Sequence, residues 1–347
     1  MSAADFRMIR PLTVTDAVLT SCTVPEAVVT EYAGATTYAL NDIRGVTTGT
    51  AQIVYKSLQA ANTGHTPASS PTWWQLLGTV YAAYAGGTTY ALGNIVTDLT
   101  NHLLYESLTA GNLGNALTDT TKWLSLGSTT RWKQFDKAVN SQTSAPETIT
   151  QVFTPGELVN TVTLLNVDGA TATVTQSVSG YSVTKSLVRH DVLNWYDFYY
   201  EIPIRSGDVA FTDIPPYPTS TLTVTVDNAG ADAAIGVCFL GKSRTIGTTL
   251  WDFSGGVLSY STTTTSTQGD ITMVRRSNAK RLNFNVHISA GFESEAYRLL
   301  TEYTDVEMVI IGAGDYSMSI SYGFLGQWEV PVSISGKPAS IEFRGLV

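Results

Sequence analysis

Residues Ile310–Asp315 read Ile-Ile-Gly-Ala-Gly-Asp, and glycines spaced in this way can cradle the pyrophosphate of a dinucleotide. A loop of that kind needs a helix directly after it, because the helix N-terminus holds the phosphates. From Ser317 to Tyr322, however, serines alternate with apolar residues, which predicts a strand, and Ser317 stands where a third glycine is needed. The segment therefore predicts a hairpin turn, and no cofactor is expected.

Two other groups of polar residues lack the partners that catalysis or metal binding requires. His190-Asp191 is an isolated pair in a predicted loop, and no Gly-x-Ser-x-Gly sequence supplies a nucleophile. The histidines show no metal-ligand spacing with one another or with the cysteines. They are His65, His102, His190 and His287. No metal site is predicted.

Paired carboxylates leave one catalytic alternative open. A glycosidase can bring two carboxylates together from separate parts of its chain, and Asp197 with Glu201 is such a pair. A chain with 29 acidic residues supplies pairs of this kind by chance. We therefore expect no enzyme, and a glycan-degrading enzyme stays the alternative.

The elements that must position any site are expected to be strands. Of the 347 residues 43% are apolar and only 14% are charged, so threonine, serine, asparagine, glutamine and glycine must supply much of the polar surface. Such residues suit extended strands and tight turns. The predicted fold class is mainly β and multidomain, because the chain is too long for one ordinary domain.

The charge balance bears on the partners. The formal net charge is −9 and no extended basic stripe is present, so nucleic acid is not expected as a partner. No apolar stretch approaches the roughly 18 residues that span a bilayer, so membrane insertion is not expected. The one short basic cluster predicts a solvated turn or a subunit contact. It consists of Arg275, Arg276, Lys280 and Arg281.

The cysteines and the start of the chain bear on where the protein assembles. Cys22 and Cys238 give no disulfide framework, and Cys238 lies in an apolar run that predicts a buried free thiol. The first ten residues lack the apolar core of a signal peptide. Assembly in a reducing cytoplasm, followed by release in a particle on lysis, fits both observations.

An internal repeat occupies the front of the chain. Residues 31–78 and 83–127 match in order, at an offset that changes only from 52 to 49 residues. The matched pairs are Tyr32 with Tyr84, Tyr38 with Tyr90, Tyr55 with Tyr105, Asn62 with Asn112, Gly64 with Gly114, Trp74 with Trp123 and Gly78 with Gly127. We therefore predict two duplicated β modules, repeat 1 over residues 28–80 and repeat 2 over residues 81–130.

Repeat 1 carries Tyr38-Ala-Leu40, Tyr55-Lys-Ser-Leu58, Asn62-Thr-Gly-His-Thr-Pro67 and the pair Trp73-Trp74. This pattern resembles the small chitin-binding-type modules that are appended to bacterial chitinases. Repeat 2 departs from it at two points. Leu117 stands near the place of the proline, and Leu124 follows Trp123, where a second tryptophan could stand.

Modules of that kind bind sugars by stacking the apolar face of a pyranose on exposed aromatic rings. The resemblance therefore implies a set of candidate carbohydrate-binding residues, namely Tyr38, Tyr55, Trp73, Trp74, Tyr90, Tyr105 and Trp123. The alternative is that these rings only form the cores of very small domains. Adjacent strand residues face opposite ways, so one ring of the Trp73-Trp74 pair can be core and the other exposed. With Trp123 alone, repeat 2 can be a spacer.

The rest of the chain has its own periodicities. Leu222, Val224 and Val226 alternate with threonines, as do Ala172 and Val174, which predicts a β-sandwich over residues 131–240. Alternation in residues 282–288, helical spacing in residues 292–303 and further short strands predict an α+β domain over residues 241–347. Residues 1–27 are predicted to form an N-terminal docking arm. The aromatic segment 195–200 is either an exposed ligand patch or, as we prefer, part of a core or a plug.

Several stretches of the flanking regions are similar to tail structural proteins of tailed bacteriophages. They are Met8-Ile-Arg-Pro-Leu-Thr-Val-Thr-Asp-Ala-Val-Leu-Thr-Ser, Arg244-Thr-Ile-Gly-Thr-Thr, Asp252-Phe-Ser, Met273-Val-Arg-Arg, Ala279-Lys-Arg, Tyr322-Gly-Phe-Leu and Ile341-Glu-Phe-Arg-Gly-Leu. The resemblance implies a component of the virion near the tail tip, the collar or the fibre attachment point, present as a symmetric ring.

Together the two resemblances imply a tail protein, assembled in the host cytoplasm, that displays its repeats for adhesion to the host surface or for fibre attachment. The implied partners are copies of itself in a homo-oligomeric ring, other phage tail proteins and host surface glycans. Many copies in a ring raise the effective concentration of weak sugar sites. A purely structural adaptor that binds no sugar is the further alternative.

Overall fold

The computed structural model describes residues 4–189, 194–200, 204–313, 316–332 and 338–346. The prediction of a mainly β, multidomain fold is confirmed. The strands in chain order are β1 (Ala4–Pro11), β2 (Leu19–Cys22), β3 (Ile43–Thr48), β4 (Ala51–Ser57), β5 (Trp74–Tyr81), β6 (Ile95–Asp98), β7 (Leu103–Ser107), β8 (Trp123–Ser128), β9 (Thr143–Phe153), β10 (Thr161–Asp168), β11 (Thr171–Gln176), β12 (Ser182–Ser186), β13 (Val188–Arg189), β14 (Ile204–Arg205), β15 (Val209–Phe211), β16 (Leu222–Thr249), β17 (Ser254–Ser259), β18 (Thr262–Thr265), β19 (Ile271–Val274), β20 (Asn278–His287), β21 (Met308–Ile311), β22 (Ile320–Glu329) and β23 (Ala339–Gly345). The helices are α1 (Trp195–Tyr200) and α2 (Glu293–Glu302).

One strand organises the body of the protein. β16 is 28 residues long and forms hydrogen bonds along both of its sides. Its first part lies between β9 and β11, and its last part lies between β1 and β20. Between these parts β16 pairs with β10, from Ala234 to Gly241. The predicted domain boundary at residues 240 and 241 therefore falls inside a continuous strand, and it is wrong for that reason.

The first half of β16 belongs to a sandwich-like core. Leu222, Val224 and Val226 are buried, and the threonines between them are half-buried, as the alternation predicts. Their neighbours on β11, Ala172 and Val174, are buried with them. The core is completed by residues of β9, β10 and β15, among them Ile149, Phe153, Leu164 and Phe211.

The second half of β16 belongs to a closed barrel. The order β16-β1-β21-β22-β23-β20 returns to β16 through the pairing of Thr248 with His287. α2 covers one opening of the core with Ala296, Leu299 and Leu300, as the helical spacing predicts. A closed barrel leaves no free edge among its six strands, so every strand is needed for closure.

The dinucleotide-like segment forms the connection between β21 and β22. These strands are antiparallel, with Ile311 opposite Ile320, so the prediction of a hairpin is confirmed. The strand begins later than predicted, because Ser317–Ser319 form a 3-10 turn. Gly314 and Asp315 lie outside the described residues.

The N-terminal residues do not form a docking arm. β1 lies between β16 and β21, and its side chains Phe6, Met8 and Ile9 are buried in the body. β2 pairs with β9. The prediction of an arm over residues 1–27 is therefore wrong, because β1 and β2 within this range are integral strands whose partners lie more than 100 residues away along the chain.

Gly241 marks the place where β16 passes from the sandwich-like core to the barrel. It pairs with Thr161 on one side and with Pro11 on the other. A Cβ atom at this position would lie 2.6 Å from the carbonyl oxygen of Arg10. Only glycine permits β1 to approach β16 this closely, so the residue type at this position is fixed by packing.

Removing side-chain volume from β1 is expected to destabilise the barrel. Met8→Ala should lower the free energy of unfolding by about 2–5 kcal/mol, because it leaves a cavity at a buried site. The measurement is urea unfolding followed by circular dichroism. Met273→Ala is the matched control, because Met273 is exposed and its truncation should change the stability by at most about 0.5 kcal/mol. Equal effects of the two substitutions would contradict the placement of β1.

Candidate binding surface of the repeats

The two repeats fold into modules of the same design. Each is a three-stranded antiparallel sheet, β3-β4-β5 in repeat 1 and β6-β7-β8 in repeat 2. A register shift falls before Tyr55 in β4 and before Tyr105 in β7, at matched positions. Gly78 and Gly127, on the partner strands, have positive φ angles at these shifts. The predicted duplication is thus confirmed down to its irregularities.

A matched tyrosine closes the first turn of each module. The hydroxyl of Tyr38 accepts a hydrogen bond from the Ala33 amide at 2.8 Å, and that of Tyr90 accepts one from the Ala85 amide at 2.8 Å. Each hydroxyl also donates to the carbonyl of the same alanine. The tyrosines are therefore retained in both modules for a backbone connection that another aromatic residue cannot make.

A matched asparagine holds the second turn. Asn62 exchanges two backbone hydrogen bonds with Tyr38, and Asn112 does the same with Tyr90. The side-chain amide of Asn62 donates to the Ser57 hydroxyl, as that of Asn112 does to Ser107, both at 3.0 Å. These buried bonds explain why the asparagines recur in the two repeats.

The cores of the modules are built from aromatic rings. The rings of Tyr38 and Trp74 meet edge to face with centroids 5.2 Å apart, and those of Tyr90 and Trp123 meet in the same way at 5.4 Å. The indole N–H of Trp74 donates to the carbonyl of His65. Five of the candidate sugar-binding rings are buried, namely Tyr38, Tyr55, Trp74, Tyr90 and Trp123. For these five the expectation of an exposed stacking surface is wrong, because a sheet this small needs them as its core.

Trp73 and Tyr105 remain as half-buried candidates. Trp74 is 2% exposed and begins β5, whereas Trp73 precedes the strand and packs, half-buried, against the same aromatic core. The prediction that one ring of the pair is core is confirmed, and the prediction that strand alternation exposes the other ring is wrong. The imidazole of His65 stacks on the Trp73 ring with centroids 3.9 Å apart. One face of the indole is therefore covered within the chain, and only the exposed part of this half-buried ring is available to a ligand.

The structure changes the comparison between the two repeats at this position. Trp123 takes the place of Trp74, so the residue that corresponds to Trp73 is Lys122. The expectation that Leu124 occupies the place of the second tryptophan is wrong. His65 is matched by Asn115, whose carbonyl accepts the hydrogen bond of the Trp123 indole. Repeat 2 thus lacks both rings of the stacked pair.

Four exposed leucines recur at matched positions of the two repeats, and none of them is among the predicted binding residues. Leu40 and Leu58 in repeat 1 correspond to Leu92 and Leu108 in repeat 2, and all four are exposed. The amide of Leu58 donates to the carbonyl of Trp73 at 2.9 Å, which places this leucine next to the tryptophan. Their recurrence at matched positions was visible in the sequence. Their exposure was not, because apolar residues are usually assigned to the core.

The repeats differ in how they satisfy the buried asparagine. In repeat 2 the side-chain amide of Asn115 donates to Oδ1 of Asn112 at 2.7 Å. In repeat 1 the corresponding residue is His65, and the buried Oδ1 of Asn62 finds no partner among the described residues. An unsatisfied buried acceptor lowers stability, so repeat 1 carries a cost that repeat 2 avoids.

A buried carboxylate joins the repeats to the body. Glu26 precedes repeat 1, and its oxygens accept hydrogen bonds from the Thr129 hydroxyl at 3.0 Å and the Trp132 indole at 2.9 Å, both beyond the strands of repeat 2. Its Oε1 also lies 2.9 Å from Nδ1 of His102, whose ring stacks on Trp132. The entry and the exit of the double insertion are thus held together at one point.

The other candidates for catalysis fall largely outside the described part of the chain. His190, Asp191 and Glu201 lie outside the described residues, and for Asp197 only the backbone of α1 is described. Within the described ranges no group of three His, Cys, Asp or Glu residues is arranged to hold a metal ion. No helix within those ranges is both long and apolar enough to cross a membrane.

Two further predictions can be judged from burial. Cys238 is a buried free thiol, as predicted, and burial raises the pKa of this thiol far above its ordinary value.

The preference for a core or plug at residues 195–200 is wrong. Trp195, Tyr196, Tyr199 and Tyr200 are exposed, with Trp195 at 77%. The short helix α1 connects β13 to β14 and carries these rings outward.

Compared with known proteins, the chain matches no family model, no curated protein and no solved structure. The assignment of a function therefore depends on the residues and geometry described above.

His65→Asn is expected to stabilise repeat 1, because the new amide can donate to the buried Oδ1 of Asn62 as Asn115 does in repeat 2. The gain should be about 1 kcal/mol, which slows hydrogen exchange of the Asn62 and Tyr38 amides about fivefold. Asn115→Ala is the reciprocal variant and should speed exchange at Asn112 and Tyr90. Exchange rates that stay the same in both variants would refute the proposed role of this bond.

Glu26→Gln is expected to loosen the attachment of repeat 2. A hydrogen bond to a charged group contributes about 1.5–3 kcal/mol, and the neutral amide weakens the hydrogen bonds that the buried carboxylate accepts. It also removes the ion pairs of Glu26. Protease cleavage near residues 128–132 should become faster while the barrel stays intact. Asp16→Asn is the control, because this exposed carboxylate lies 3.5 Å from the other side of the His102 ring and should contribute at most about 1 kcal/mol. A larger effect of Asp16→Asn would show that Glu26 is not the anchor.

Proposed function

We propose that the chain is a structural component of a phage tail, in the tip, collar or fibre-attachment region, that assembles as a ring and displays the two repeats for adhesion to the host surface or for fibre attachment. Its partners are copies of itself, other tail proteins and host surface glycans. Its location is the virion, after assembly in the host cytoplasm.

The observation that carries this proposal is the manner in which the repeats are inserted. Both modules leave the body after β2 and return before β9, with entry and exit joined through Glu26. The body on which they are mounted is a continuous β scaffold with β16 passing through it. This arrangement suits a protein whose body serves assembly and whose insertion serves contact with something outside.

Glycan contact in this proposal belongs to repeat 1. Its surface has the half-buried ring of Trp73, the imidazole of His65 stacked on that ring, and the exposed side chain of Leu58 beside it. Flat apolar faces of this kind suit the CH-rich face of a pyranose. A single site of this size binds weakly, and a ring of copies supplies the avidity.

The purely structural adaptor is the second candidate, and the burial of five of the seven candidate rings favours it. In that case the recurring exposed leucines contact another protein, and no sugar is bound. The glycan-degrading enzyme is kept only as an outcome of the test, detected by new reducing ends when the purified protein is incubated with polysaccharide.

Trp73→Ala is expected to weaken binding of the full chain to chitin and to arrayed glycans at least tenfold, because stacking on one ring is worth about 1.4 kcal/mol or more. The control is Trp251→Ala, which removes an exposed tryptophan from the body and should leave binding unchanged. Transferring the pair to repeat 2, with Asn115→His and Lys122→Trp together, should increase binding.

Each result of this experiment has a distinct meaning. Binding that survives Trp73→Ala contradicts the ring-stacking surface of repeat 1. A wild-type chain that binds none of the glycans supports the adaptor without sugar binding. New reducing ends that appear with time would support the enzyme and count against a structural role.

A further inference from the structure

A two-stranded ribbon extends from the barrel. It consists of β17, β18, β19 and the first half of β20, residues 254–283, and is paired from Ser254–Asn283 at its base to Thr265–Ile271 near its tip. Every residue from 262 to 278 is exposed. The described residues of the body therefore do not cover the outer half of the ribbon.

The exposed ribbon carries apolar side chains on its surface. Ile271 is 71% exposed and Met273 is 59% exposed, and they share one face with their cross-strand neighbours Thr265 and Thr263. An isolated two-stranded ribbon is only marginally stable in water. An apolar face on such an element is typical of a surface that is covered by a partner.

The basic cluster of the sequence divides at the base of this ribbon. Lys280 forms an ion pair with Asp208, and Arg281 forms one with Glu342. Arg275 and Arg276 are exposed, and their guanidinium groups have no ion pair among the described residues. The stretch from 254 to 278 holds these two arginines and a single acid, so it is positive in a chain whose formal net charge is −9.

We propose that the ribbon is the element by which each copy of the chain binds the next copy in the ring, with its Ile271–Met273 face and its two arginines against the acidic surface of the neighbour. Two observations favour a second copy as the occupant. The positive ribbon complements the negative remainder of the same chain. In addition, β17 and β12 end the longest run of paired strands in the large sheet, whose side branches end in β15 and β2, so the ribbon side of one copy can follow the β12 side of another in a head-to-tail order.

This inference rests on the proposed ring and names the segment that forms it. The test is sedimentation velocity of the full chain over a range of protein and salt concentrations. The wild type should associate, and association should weaken as salt rises, because exposed ion pairs are screened. Ile271→Thr with Met273→Thr, and separately Arg275→Glu with Arg276→Glu, should each raise the dissociation constant at least tenfold.

The matched control is Leu113→Thr with Leu124→Thr, which removes two comparably exposed apolar side chains from repeat 2 and should leave association unchanged. Circular dichroism should show the same thermal unfolding of the body in all variants, because residues 262–278 add nothing to its core. If the wild type associates and both ribbon variants associate as tightly as it does, the role of the ribbon is overturned while the proposal of a ring stands. A wild type that is monomeric at every concentration overturns both.

Discussion

The two-sided hydrogen bonding of β16 is the constraint on which the rest of the structure depends. A strand of 28 residues that pairs on both sides places the sandwich-like core and the barrel in one continuous sheet. At Gly241, β16 pairs with β10 on one side and approaches β1 closely on the other, and this residue marks where one core ends and the other begins. Neither core can move independently of the other, since any relative rotation would break the hydrogen bonds of a strand that both share.

The repeats are attached to this continuous body at a single point, the buried carboxylate of Glu26. Glu26 brings together residues that are more than 100 positions apart and closes the insertion at its base. A buried carboxylate with this many donors is stable only if all of them are in place, because the charge would otherwise be buried without compensation. The repeats are therefore held by a junction that either forms completely or fails, as suits modules displayed from a fixed scaffold.

The parts of the fold that could be predicted from the sequence are those encoded locally. The alternation in β11, in the first half of β16 and in β20, the helical spacing in α2 and the duplication of the repeats all depend on residues close together in the chain. The placement of β1 could not be predicted, because no local pattern in a short strand indicates which distant strands it pairs with. The same limit applies to residues 195–200, since an aromatic segment reads alike whether it is buried or carried outward by a helix.

The candidate site was predictable in its residues and less so in their orientation. Trp74 is a core ring, as one of the pair was predicted to be, but period-two geometry does not describe Trp73, which precedes β5. The same geometry could not show that five of the seven rings are needed as the core of the modules. The differences between the repeats are the more informative observation. In repeat 2 Asn115 satisfies the buried asparagine, whereas in repeat 1 the same position holds His65, which stacks on Trp73, and Oδ1 of Asn62 has no partner among the described residues. That exchange gives up a buried hydrogen bond and adds the stacking of His65 on Trp73, two contributions of similar size, so it brings little net stability to the module. Module stability alone therefore gives little reason for the exchange, and the stacked pair agrees with the ligand surface proposed for repeat 1.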